Sequence, residues 1–147
     1  MWLLIAVPGF AGFGLAGCET QVAVAELPAA VQGTARQVVG DGQITEAIRE
    51  RGDDGGEIYE ISYFSGGANF DAEISPDGRL LVVDEQISLS AAPEGVRAAI
   101  EKLTSGGRIF TIEKATQGDL VFYEVGYRRG LRERELRFAS DGSILQR

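Results

Sequence analysis

Tyr59-Glu60-Ile61-Ser62-Tyr63 and Tyr123-Glu124-Val125-Gly126-Tyr127 decide the fold. The two stretches stand 64 residues apart, and in each a large apolar residue alternates with a polar or small one. That period of two belongs to a strand with one buried face. A strand that recurs at a fixed spacing calls for a search of its flanks for a repeated unit.

The flanks repeat as well. Upstream, Leu27-Pro28-Ala29-Ala30-Val31 opens a segment with apolar residues at Val31, Ala35 and Val38, and Ala92-Pro93-Glu94-Gly95-Val96 opens another with Val96, Ile100 and Leu103. Both stripes follow i, i+4, i+7 behind a proline, the pattern of a helix with Pro near its first turn and one apolar face. The offset is 65 here and persists through Gly42-Gln43-Ile44 and Gly107-Arg108-Ile109, where each helix stops and a strand begins. After a one-residue deletion it continues at 64, through to Asp77-Gly78 and Asp141-Gly142.

Each copy therefore reads as a helix followed by four strands: Ile44 to Glu50, Glu57 to Phe64, Asn69 to Ile74 and Arg79 to Val83, then Ile109 to Ala115, Leu120 to Tyr127, Arg132 to Phe138 and Ser143 to Leu145. The short glycine-rich links between the strands predict antiparallel hairpins. The fold class expected is α+β, two tandem helix-plus-strands repeats forming one pseudo-symmetric domain, with repeat 1 over 27–87 and repeat 2 over 92–147. Alternation puts Tyr59, Ile61, Tyr63, Tyr123, Val125 and Tyr127 under the helices, with Phe70, Ala72, Ile74, Arg134, Leu136 and Phe138 on the same side. The opposite face carries Glu60, Asp71, Glu73, Glu124, Glu133, Glu135 and Arg137. It is expected to be wet, as one-sided antiparallel sheets usually are, and its carboxylates to keep ordinary pKa values.

The order of Pro-led helix, strand, Tyr-Glu-(Ile/Val) strand, polar strand and Asp-Gly turn resembles the PepSY domain, in a tandem form similar to beta-lactamase-inhibitor-like proteins. The resemblance runs from about Leu27 to the C-terminus. It implies binding rather than catalysis, because PepSY-like domains occur in propeptides of secreted metallopeptidases, where they restrain the protease. The inhibitor-like tandem proteins block an enzyme with the sheet face and its loops. The partner implied is an exported or envelope protein, such as a peptidase.

Composition narrows the remaining functions. The chain of 147 residues has no histidine and one cysteine, so a Ser/His/Asp triad, a Cys/His dyad, a His-ligated metal site and an internal disulfide are all excluded. A formal net charge of −8 without a basic cluster lacks the footprint that nucleic acid requires. No cofactor is expected. Asp53-Asp54 and Asp84-Glu85 lack the spaced oxygen ligands and glycine of an EF-hand loop and read as loop and strand-end charges. Glu60 and Glu124 could form an acid/base pair, but a solvated face leaves both as ordinary surface charges.

Residues 1–18 are a different kind of segment. Met1 to Gly17 has no charged side chain and is broken by Pro8, Gly9, Gly12 and Gly14, which suits a signal h-region better than a membrane span of about 20 residues. The run ends Leu15-Ala16-Gly17-Cys18, which resembles the lipobox of bacterial lipoproteins, although no Lys or Arg precedes it. That resemblance implies acylation of Cys18 and a membrane partnership through the lipid anchor. With Glu19 following the cysteine, it also implies the periplasmic side of the outer membrane in a Gram-negative host. Residues 19–26 are expected to be a short linker. Candidate partner-binding residues are Phe64 and Phe122, apolar groups on the strand face together with Ile58, and Arg128 and Arg129 at the Gly130 hairpin tip. A structural or envelope-sensing lipoprotein with a peptide or protein partner is the alternative role.

Overall fold

The computed structural model describes residues 19–52 and 54–146, the side chain of Gln146 excepted. Cys18, Asp53 and the signal-like segment lie outside the described residues. The architecture is α+β. Its strands run in chain order as β1 (Thr20–Gln21), β2 (Gln43–Arg51), β3 (Glu57–Ser65), β4 (Ala68–Ile74), β5 (Leu80–Gln86), β6 (Arg108–Gln117), β7 (Leu120–Arg129), β8 (Arg132–Ala139) and β9 (Ile144–Gln146). They form one antiparallel sheet whose spatial order is the sequence order. Helix α1 (Ala29–Val39) precedes β2, and α2 (Glu94–Leu103) precedes β6.

Each helix begins at a proline, Pro28 or Pro93, whose missing N–H would have had no partner at that position. Helix α1 ends at Gly40 with φ 55°, a left-handed conformation that favours glycine. Helix α2 ends at Thr104, whose Oγ1 donates 2.7 Å to the Ile100 carbonyl. Under α1, the buried Val31, Ala35 and Val39 pack with Leu27, Ala47, Tyr59, Ile61, Tyr63, Ala72 and Ile74. Under α2, Val96 and Ile100 pack with Ala92, Ile112, Tyr123, Val125, Tyr127, Leu136 and Phe138. The two apolar clusters share one sheet, so the repeats join by their edges rather than face to face. The joint is β5 against β6, with Val83 opposite Thr116 and Gln86 opposite Glu113.

The repetition extends to irregularities. The β2–β3 ladder slips between Ile44 and Glu46, and the β6–β7 ladder between Ile109 and Thr111, the same break 65 residues on. Bulges of this kind bend a strand and increase its local twist. The Asp-Gly turns are also paired. Gly78 has φ 87° and approaches Ala30 so closely that a Cβ there would lie 2.9 Å from the Ala30 Cβ; Gly142 has φ 87° and meets Gly95. Each turn thus needs glycine both for its dihedral and for the seat it gives the first turn of its helix.

Two segments differ from the expectation. Residues 19–26, read as a linker, carry β1, which pairs with β2 through Thr20 and Gln21, and a 3₁₀ turn over Val24–Glu26. Strand β5 runs on to Gln86, three residues past the expected end at Val83, because the β6 edge lies beside it to receive the pairing.

Candidate functional site

Parity along the strands places most side chains as the alternation predicts, although Arg134, expected under the helices, is exposed and lines the opposite face; that face is not a plain wet surface. Across many strands, sheet twist accumulates into curvature, and here the face closes into a cleft of about 830 Å³ lined from β2 to β8. Glu60 on β3 is only 6% exposed. The expectation of solvated carboxylates with ordinary pKa values is therefore corrected: the curl brings them together and removes their water.

The register shows how the crowding arises. On this face Glu60 stands directly opposite Glu73, Asp71 opposite Asp84, and Glu113 opposite Glu124. Like charges facing each other across a ladder are destabilising, and three such pairs share one cleft. Twelve of the lining residues are acidic and four are arginines, which leaves eight formal negative charges, as many as the net charge of the whole chain. The face thus holds the imbalance that the sequence spreads along its length.

Desolvation dominates the electrostatics. Burial, reinforced by Asp71, Glu50, Glu73 and Asp84, pushes the Glu60 carboxyl up to about 9. Burial with Glu124, Glu113 and other carboxylates nearby pushes Asp84 up to about 8, and its Oδ1 is buried with no hydrogen-bond partner among the described residues. Glu113 rises to about 7 through burial, partly offset by the Thr111 hydroxyl. Glu124 also rises to about 7 through burial, although Arg137 pulls the other way. Asp71 is raised by burial too, against a Ser62 hydroxyl that donates to it at 2.5 Å.

On the β7–β8 side Arg137 sits among the carboxylates. Arg137 pairs through its Nε with Glu124, lies 3.3 Å from Glu135, and sets its guanidinium 5.9 Å from the centre of the Phe122 ring. Phe122 and Ile58 therefore line the cleft beside the carboxylates. The other candidates lie elsewhere. Phe64 is exposed at the end of β3, outside the cleft lining. Arg128 pairs with Glu133. Arg129 donates at 2.9 Å to the carbonyls of Leu103 and Ser105, at the C-terminal end of α2, and lies over the Tyr127 ring. There a cation suits the helix dipole, so Arg129 has a place in the fold already. Asp84 and Glu113 were not singled out as site residues in the sequence. Glu113 stood within an expected strand and Asp84 one residue past the end of another, and only the β5–β6 and β6–β7 registers bring them to one place.

A sheet in chain order with a helix laid before each half defines a tandem helix-on-sheet fold. The chain is similar in fold to a candidate periplasmic protein from Bacteroides eggerthii, with a TM-score of 0.67, 13% identity, and 82% of this chain and 86% of that one covered. A DUF2874 family protein from Bacteroides ovatus aligns with a TM-score of 0.65 at 12% identity over 82% of this chain and 85% of its own. A BLIP-like protein from Bacteroides fragilis aligns with a TM-score of 0.61 at 13% identity over 80% of this chain and 82% of its own. At such identities the likeness is one of fold. No family model matches the chain, and no curated protein matches it significantly.

Proposed function

We propose that this protein is a non-catalytic, lipid-anchored envelope lipoprotein that binds an exported protein in the cleft of its strand face. The form we favour is restraint or inhibition of an exported peptidase or other enzyme, as the PepSY and inhibitor-like resemblance implies. The observation that carries this reading is the cleft itself. The helix stripes are consumed in the two apolar clusters, whereas the strand face keeps like-charged pairs, drawn partly or fully out of solvent, that cost stability. Groups retained at such a cost are a frequent mark of a functional surface. The fold likeness to a BLIP-like protein supports the inhibitor form.

Glu19 lines the cleft and follows Cys18 directly in the chain. An acyl group on Cys18 therefore holds the cleft beside the bilayer, where it meets envelope and exported proteins. Replacing Cys18 with Ser is expected to abolish metabolic labelling by a clickable fatty acid and to release the protein from the membrane fraction. Label that persists on the Ser variant would contradict the anchor.

Binding through the cleft is tested by capture from native envelope extracts. Phe122→Ser combined with Glu113→Gln is expected to keep cooperative thermal unfolding and to lose the partner that the unaltered protein retains. Changes at Phe64, Arg128 and Arg129 map how far the contact extends toward the hairpin tips. If capture survives the cleft changes while Arg36 or Glu101 on the helix surfaces abolishes it, the helical face is the binding face.

A further inference from the structure

The two repeats differ at one informative place. The offset of 64 matches Glu60 with Glu124, Asp71 with Glu135, Ile58 with Phe122, and Glu73 with Arg137. In the second repeat Arg137 stands opposite Glu124 in the β7–β8 ladder; in the first, Glu73 stands opposite Glu60 in the β3–β4 ladder. The same scaffold thus holds an arginine against two carboxylates and an aromatic ring in one half, and a third carboxylate in the other.

Glu60 registers the difference. It is 6% exposed and faces the cleft, yet among the described residues no hydrogen bond or ion pair reaches its carboxylate. The charges that act on it most strongly are Asp71, Glu50, Glu73 and Asp84, all carboxylates. A buried carboxylate in such company lacks the cation that its counterpart Glu124 has in Arg137. Resting on the proposed reading of the strand face, we infer that the cleft takes an arginine side chain from its protein partner beside Glu60, Asp71 and Glu73, in the position that Arg137 fills in the second repeat.

Arginine fits better than lysine. Arg137 presents its Nε to both Glu124 and Glu135 while its guanidinium lies over Phe122, and a planar, weakly hydrated guanidinium suits carboxylates beside an apolar wall better than a compact ammonium does. The first repeat offers the corresponding features, with Glu60 and Asp71 as the two acceptors and Ile58 as the apolar floor.

The test uses an acetylated, amidated tri-arginine peptide, followed by calorimetry and by the carbon-13 carboxyl signals of the protein. Saturable binding at one site is expected, with Glu60 among the signals that move. Tri-lysine is expected to bind more weakly, and the near-isosteric Glu60→Gln to weaken tri-arginine by about tenfold or more through the lost charged hydrogen bond. Glu73→Arg, which installs the second repeat's ion pair in the first, is expected to keep the fold, bring Glu60 into the ordinary carboxylate range and exclude the peptide. Tri-arginine that binds Glu60→Gln or Glu73→Arg as well as the unaltered protein overturns the inference. So does a response of Glu60 to calcium chloride alone with none to the peptide, which would make this a metal-ion site. If the peptide fails while envelope capture still depends on Phe122 and Glu113, only the arginine is wrong; if capture too ignores the cleft, the proposed function falls with it.

Discussion

Raising the pH from 5 to 9 is expected to destabilise this protein steadily, against the common pattern in which paired carboxylates make neutral solution the more favourable. Glu60, Asp84, Glu113 and Glu124 have native pKa values raised to about 9, 8, 7 and 7, while in the unfolded chain they titrate near the ordinary 4 to 4.5. A raised carboxyl favours the protonated native state. Its contribution is fully present below the unfolded pKa and is lost as the pH climbs through the native one. In that window the native protein binds more protons than the unfolded chain, and each extra proton costs about 1.4 kcal/mol of stability per pH unit. Glu60 alone, protonated across those four units, corresponds to about 5 kcal/mol, a large fraction of the stability of an ordinary domain. Asp77 and Asp141 shift the other way, held down chiefly by the Ser75 hydroxyl and the Ser143 backbone N–H, so their contributions change only in acid, below this window. Urea unfolding at a series of pH values checks the trend, and Glu60→Gln is expected to flatten it and to be the more stable protein at pH 9. A stability that is level or rising between pH 5 and 9 would show that the cleft carboxylates are solvated.

The origin of that behaviour also marks how far the sequence could be read. Helices, strand order within each repeat and the inward face were legible because they rest on local period: three apolar residues at helical spacing in Val31, Ala35 and Val38, and strict alternation from Tyr59 to Tyr63. Glu60 was correctly placed on the face away from the helices, yet its burial was not legible. Burial on that face depends on a long-range event, the pairing of β5 with β6 that joins two small sheets into one long enough to curl. Asp84 illustrates the same limit. Read locally, Asp84-Glu85 resembles charge at a strand end; with the neighbouring repeat in place, Asp84 lies in mid-sheet opposite Asp71 and Ala115. The hairpin-tip arginines show the converse, since turn chemistry exposes Arg129 in the sequence while the end of α2, 24 to 26 residues away, supplies carbonyls for it.

Ile61→Ala, one position along β3 from Glu60, is expected to cost about 2 to 5 kcal/mol, the range for truncating a buried isoleucine where the surroundings close only partly over the gap. Ile61 is 0% exposed and lies among Val31, Tyr59, Tyr63 and Ala72 in the cluster beneath α1. Its counterpart Val125 is equally buried beneath α2, but Val125→Ala removes less side chain and should cost less. Because the two residues sit in separate clusters, the double variant should lose the sum of the single losses to within about 0.5 kcal/mol. Denaturant unfolding at pH 8 measures all of these, and at that pH Glu60→Gln is expected to change stability in the opposite direction. Adjacent residues then act with opposite sign because they point to opposite sides of the sheet, one into close-packed apolar side chains and the other into a cleft crowded with its own charge. Equal losses from Ile61→Ala and Glu60→Gln would mean that the strand is turned differently, and that the cleft carboxylates hold the fold together instead of straining it.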